Sequence, residues 1–204
     1  MLFKMKYILI IIVITTVGKI TLFAQRPVSA YEFRWAFFHP FAALKIKKRL
    51  PKALVIYNEV KATGQPDSFA GGGKLDAFRH VYTMAYLARY IRVKKLRKLG
   101  RAHEKGNKRQ FKNNKLEDGE RPDSLACEMD LKNNESGFLL GSANKTLNDT
   151  ALKTLVLEAI TAGKAWYLKR NVQGQYVDCD NKPVDPALYK GKWFVPKCLI
   201  KTNE

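Results

Sequence analysis

The chain is poor in the residues that usually carry chemistry. Among 204 residues there are three histidines and three cysteines. Cys127, Cys179 and Cys198 fit no paired-cysteine knuckle, which argues against a thiolate zinc site. His103-Glu104 does not open an H-E-x-x-H motif, because position 107 is Asn107 and no second histidine follows. There is no internal repeat and no low-complexity segment, so neither a solenoid nor a disordered tail is indicated. No apolar run reaches the roughly 20 residues that a spanning helix needs. Acids are also scarce: 18 Asp and Glu stand against 37 Lys and Arg, for a net charge of +19.

That charge excess speaks to partners rather than to fold. Residues 89–115 hold twelve Lys and Arg against Glu104 alone, a net +11 in 27 residues. An anionic lipid surface or an acidic wall polymer would suit such a belt, as would a merely solvated helix face. Nucleic acid is disfavoured, since no aromatic-interleaved recognition motif accompanies the charges.

The first residues read as a targeting segment. Lys4 and Lys6 precede an apolar run from Tyr7 to Val17, the pattern of a secretory signal. Residues 1–24 are expected to be a signal peptide or an N-terminal anchor, with cleavage as late as residue 30. Losing them removes three lysines and no acid, leaving +16, so the basicity belongs to the body of the protein. In an oxidising compartment two cysteines can bridge. Cys179 and Cys198 flank a Pro-rich tail and are the expected pair.

Helical periodicity dominates the remainder, which predicts a mostly α, compact helical bundle over residues 31–170 and a short irregular or hairpin C-terminal tail over 171–204. Residues 31–63 read as helical pieces broken at Pro40 and Pro51. Gly64 to Gly73 is a loop by its breakers. Phe78, Val81, Tyr82, Ala85, Leu87, Ala88 and Ile91 then recur at three and four, predicting one long helix from Lys74 to about Leu99. A second helical stretch carries Ala102-His103-Glu104, with Gly100 either ending the first or tolerated within it. Residues 112–124 read as a loop and Asp130 or a neighbour as the start of a short helix to Leu140. Asn148-Asp149-Thr150 caps a last helix that runs through Trp166.

The polar residues fall into a few local settings. Asp76 and His80 stand four apart, on one helix face. A carboxylate beside an imidazole fixes its tautomer and raises its basicity, which suits a general base or a metal ligand. The same acid could instead only stabilise a helix start. Arg79 faces elsewhere on that helix and is a candidate anion clamp. His103 and Glu104 are adjacent, so only one of them can face His80. Asp130, Asn133 and Asn134 form a polar stripe, and two adjacent Asn in a helix interior imply specific hydrogen bonds. His39 precedes Pro40, where it caps a helix or joins the cluster.

In chain order, Phe38-His39-Pro40-x-x-Ala43, Gly72-Gly73-Lys74-Leu75-Asp76-Ala77-Phe78-Arg79-His80, Ala102-His103-Glu104 and Met129-Asp130-Leu131-x-Asn133-Asn134-x-x-Gly137 together resemble the signature of an uncharacterised family of exported bacterial proteins. The resemblance spans roughly residues 35–168. It implies a shared fold and a shared polar site, and no particular reaction.

The expectation is therefore an exported protein with a hydrolase-like site of Asp76, Arg79, His80, His103, Glu104, Asp130, Asn133 and Asn134. His80, oriented by Asp76, would serve as base, with room for a divalent metal and with the Asn pair positioning substrate or water. The rival expectation is a non-enzymatic envelope protein in which the same residues form a buried structural network.

Overall fold

A computed structural model describes residues 28–116 and 120–204; the expected targeting segment at 1–24 lies outside them. The fold is mostly α, with a two-stranded antiparallel sheet at the C-terminal end. No described helix is long and apolar enough to cross a membrane.

Helix α1 (Ala30–Phe38) opens on a capping box: the Glu32 backbone N–H donates to Ser29 Oγ, and the Ser29 N–H donates to Glu32 Oε2 at 2.8 Å. It stops at His39, and Pro40 starts α2 (Pro40–Ala62) in the position where a missing N–H costs nothing. The expected second break at Pro51 does not occur. Pro51 faces solvent inside α2, where water can take the carbonyl its ring leaves unbonded, while Ala53, Tyr57 and Val60 on the opposite side stay packed.

Helix α3 (Lys74–Ala88) is the centre of the molecule. It buries Leu75, Phe78, Val81, Tyr82, Ala85 and Leu87, and it packs against α2, the two helices that follow it, α6 and the first strand. The expected single helix to Leu99 is broken at residues 89–92, although neither Gly nor Pro lies there. Arg89 keeps helical backbone angles, and its side chain is held by Asp149 Oδ1 at 3.0 Å and the Leu147 carbonyl at 2.6 Å. The extended Arg92 then turns the chain into α4 (Val93–Lys112). Gly100 sits inside α4, where a Cβ would come within 3.0 Å of Asn134 Nδ2.

Helix α5 (Ser124–Ala143) begins earlier and runs longer than expected, because Asp123 is an effective N-cap. Its Oδ1 accepts from Leu125 N and Ala126 N, and Lys197 Nζ neutralises Oδ2 at 2.7 Å. Gly137 and Gly141 let α5 lie directly on the α3 backbone: a Cβ at Gly137 would stand 2.5 Å from the Val81 carbonyl, and one at Gly141 would overlap Ala85. Helix α6 (Asp149–Thr161) has the expected Asn148 cap, with Asn148 Oδ1 accepting from Ala151 N at 2.8 Å.

Trp166, expected in that last helix, lies instead in β1 (Trp166–Leu168). Gly163, with a φ of +71°, reverses the chain first. The partner of β1 is β2 (Leu199–Lys201), in the register Trp166 with Lys201, so the sheet joins two distant segments and is not a tail hairpin. Cys179 and Cys198 are bridged with Cα atoms 4.7 Å apart, and Cys127 is a buried thiol outside the bridge.

Candidate functional site

Helix α3 needs a cap, and Asp67 supplies it from the preceding loop. Its carboxylate accepts from the backbone N–H groups of Phe69, Lys74 and Leu75. Asp76, in the first turn, is therefore free of capping duty and turns inward. Its Oδ2 accepts from Gly72 N at 2.7 Å, an approach that uses the positive φ of Gly72. The other oxygen, Oδ1, accepts from Arg79 Nε at 2.9 Å and lies 3.6 Å from His80 Nε2. Arg79 thus folds back onto Asp76, contrary to the expectation that it faces elsewhere. With 28% of its side chain exposed, it is the most accessible member of the group.

One helical turn on, the His80 ring is gripped from both ends. Nδ1 stands 3.2 Å from Asn134 Oδ1 on α5, and Nε2 stands 3.2 Å from Asp130 Oδ1 on the same helix. Arg79 Nη2 lies 3.4 Å from Nε2. Burial lowers the His80 pKa below 6.5; Asp76 opposes this and Arg79 adds to it. The neutral ring carries its proton either on Nδ1, donating to Asn134 Oδ1, or on Nε2, donating to Asp130 Oδ1. One ligand atom each from Asp76, His80 and Asp130 lies within 4.8 Å of the others, a group able to hold a cation.

The His103–Glu104 pair divides as helix geometry requires. Glu104 is buried and faces the cluster, and its pKa is pushed up to about 7 by burial first and then by Asp130, with His103, the Cys127 thiol and His80 pulling the other way. Asn107 Nδ2 donates to Glu104 Oε2 at 2.9 Å. Glu104 Oε1 and Asn107 Oδ1 are buried and have no hydrogen-bond partner among the described residues. His103 points instead toward α1 and pairs through Nδ1 with Glu32 Oε1 at 2.9 Å. Its charge is still felt at His80.

The two asparagines part company as well. Asn134 belongs to the cluster. Asn133 donates to the Trp166 carbonyl at 2.9 Å and accepts from the Trp166 N–H at 2.8 Å, so it fastens β1 to α5 like a short piece of sheet. His39 stays outside the cluster, its ring edge-on to Trp35 at 5.3 Å. Sequence reasoning missed Glu32 and Asp67. The Ser29-x-x-Glu32 spacing announces the first as a capping box. No local spacing marks the second, since it caps a helix that starts seven residues later.

Behind Asn134 lies a groove of about 250 Å³ between α4 and α5, lined by Arg97, Arg101, Leu131, Lys132, Asn134 and Phe138. Arg97 is tied bidentately to Glu135 at 2.6 and 2.7 Å. Asp76, His80 and Asp130 do not line this groove, so Asn134 is what connects it to the imidazole.

Neither curated proteins nor solved structures match the chain. A family model does, over residues 33–164, which takes in α1 to α6 and every residue of the cluster. The chain belongs to that family, the domain of unknown function DUF6973.

Proposed function

We propose that the protein is a hydrolase working outside the cytoplasm on an anionic envelope substrate, assisted by a divalent cation held by Asp76, His80 and Asp130. The observation that carries this reading is the orientation of His80. Its Nε2 stands 3.2 and 3.6 Å from the carboxylate oxygens of Asp130 and Asp76, and its Nδ1 stands 3.2 Å from Asn134 Oδ1. With its proton on Nδ1 and donated to Asn134, the ring would turn the Nε2 lone pair toward the same point as the two carboxylates, and a cation there would be ligated by all three in place of the Arg79 Nη2 contact to Asp76. Ligands in a tetrahedral shell with bonds of about 2.1 Å stand about 3.4 Å apart, so the separations require little rearrangement. The Asn134 contact is the outer hydrogen bond that ligating histidines characteristically make.

A cation held by Asp76, His80 and Asp130 would supply Lewis-acid chemistry, polarising a water or a substrate oxygen. Glu104, the buried carboxyl whose charge couples to Asp130 and His80, is placed to take or return a proton. Arg79, at the accessible edge and held on Asp76 through Nε at 2.9 Å and Nη2 at 2.7 Å, would present the outer edge of its guanidinium to a negative group on the substrate. The extracellular setting is supported by the Cys179–Cys198 bridge, which belongs to an oxidising compartment, and by the basic-then-apolar start of the sequence.

One observation favours the rival reading of a structural network: Asn133, on the same stripe, spends both ends of its amide on holding β1. Calorimetric titration of the purified protein with Zn²⁺, Mn²⁺ and Ca²⁺, alongside a panel of chromogenic phosphodiesters and carboxyl esters, separates the two. The hydrolase reading expects His80→Ala to abolish cation binding and turnover while helical circular dichroism is kept. No cation binding below about 1 mM in the wild type, with His80→Ala costing about 3–5 kcal/mol of stability, would leave only the network.

A further inference from the structure

The elbow between α1 and α2 exposes an unusual amount of apolar surface. Phe37, Phe38 and Phe41 are 52%, 63% and 75% exposed, and Leu44 continues the row one turn into α2. The first two rings touch edge to face at 5.3 Å, and Arg34 lies over Phe38 at 5.9 Å. Four large apolar side chains around one His39-Pro40 corner form a contiguous patch of the kind soluble surfaces usually avoid.

Beside this corner runs a row of positive charge. Helix α1 is fastened along α4 by Trp35 Nε1, which donates to the Lys95 carbonyl at 3.0 Å, and by the Glu32–His103 pair. On the outward side of α4 stand Lys94, Lys98, Arg101, Lys105, Lys108 and Lys112, all exposed. Their steps of four and three place them in one stripe along the helix. Among the described residues none of the six has a carboxylate partner, whereas the neighbouring Arg97 is neutralised by Glu135. Lys45, Lys47 and Lys48 add exposed charge just past the corner on α2.

We propose that the Phe37–Phe38–Phe41–Leu44 corner and the α4 lysine–arginine row form one docking face for an anionic lipid bilayer. The two halves match the two layers of a membrane surface: aromatic and aliphatic side chains enter the acyl boundary, and the basic row lies against headgroup phosphates. A wall polymer or another polyanion would engage the charges but offers no hydrocarbon to cover the phenylalanines. The chain leading into the corner points the same way. Ala24, the last residue of the expected targeting segment, is separated from Val28 by at most about 14 Å of extended backbone. This face does not depend on the cation site, and it stands if that reading fails.

The test uses the full chain in two single-tryptophan additions, Phe41→Trp at the corner and Val172→Trp in the tail, where Val172 is 97% exposed. Each is bound to vesicles of phosphatidylglycerol and phosphatidylcholine carrying brominated acyl chains. The added signal of Phe41→Trp should shift to the blue and be quenched by the bromines, and that of Val172→Trp should not. Because quenching reports depth at one position, recruitment by the N-terminal segment alone cannot imitate it. Reversing Lys98, Arg101 and Lys105 to Glu should weaken partitioning to the anionic vesicles by on the order of a hundredfold. Vesicle-bound protein with no quenching at position 41 would overturn the proposal, as would binding that the triple reversal leaves unchanged. A concentration-dependent dimer that disappears in Phe37→Ser/Phe41→Ser, with no quenching on vesicles, would assign the face to a second copy of the chain instead.

Discussion

Replacing Glu104 by Gln isolates the electrostatics of the buried polar layer without changing its shape. Glu104 is 7% exposed, and its carboxyl ionises near 7 in the folded protein against 4.5 in the reference state. Between those values the unfolded chain has released this proton and the folded chain still holds it. The folded state then binds more protons, so stability falls as pH rises through this window. The loss begins above the unfolded value and is complete above the folded one, and a gap of this width is worth about 3 kcal/mol. His80 contributes with the opposite slope. Its lowered pKa keeps the folded ring neutral where the unfolded ring takes a proton, so stability falls as pH drops below 6.5.

Glu104→Gln removes the first of these effects, takes from His80 one of the charges that oppose its lowered pKa, and retains an acceptor for Asn107 Nδ2. Urea denaturation followed by helical circular dichroism, across pH 4.5 to 8.5 and in the presence of a chelator, supplies the comparison. Variant and wild type should lie close together at the acid end. The variant should gain on the wild type as pH rises, by about 3 kcal/mol above neutrality. The chelator matters because a cation beside Asp130 would favour the ionised carboxylate and flatten the difference. Parallel curves over the whole range would mean that Glu104 is charged throughout, and the reasoning from burial would be wrong.

Three further outcomes follow from the packing. Converting Cys179 and Cys198 to Ser opens a loop of 19 residues and should cost about 3 kcal/mol, read as a lower denaturation midpoint than that of the oxidised wild type. Asn133→Ala strips both hydrogen bonds from the Trp166 backbone and should cost about 2–3 kcal/mol, with amide exchange at Trp166–Leu168 accelerating before exchange in α3 does. Gly141→Ala drives a methyl into the Ala85 backbone and should destabilise by about 1–3 kcal/mol or more, whereas Gly191→Ala, with open space around its Cβ position, should cost less and only through its φ of +81°.

Much of this architecture is legible in the sequence where a local rule governs it. Pro40 and Asn148 mark helix starts because proline and asparagine act on the backbone beside them, and Asp76 and His80 meet because residues four apart share a face. The bridge between Cys179 and Cys198 was legible from composition. What escaped was fixed at long range. The break at residues 89–92 carries no breaker residue, and the contacts beside it, from Arg89 to Asp149 and Leu147, come from about 60 positions away. His103 leaves the cluster for Glu32, 71 positions upstream, a choice made by how α1 lies on α4. Asn133 and Asn134 look interchangeable as letters, yet one faces β1 and the other His80. Adjacent positions on a helix differ by about 100°, and only the neighbours decide which direction is the site.

The same reasoning explains why the cluster is as tight as it is. On α5, Asp130, Asn134, Gly137 and Gly141 follow one another by four, three and four, so they form a single stripe. On α3, Asp76 and His80 share a face, and the Val81–Ala85 backbone just beyond them is what the glycines meet. The glycine end of the first stripe lies on the α3 backbone with no side chain between the helices. Two rigid helices brought that close at one end stay close along the stripe, which is how Asp130 and Asn134 come to stand 3.2 Å from opposite ends of one imidazole. Larger residues at positions 137 and 141 would spread the axes and withdraw both side chains from His80. The glycines therefore act on the candidate site without touching it, and the polar residues at one end of the α3–α5 interface depend on the bare backbone at the other.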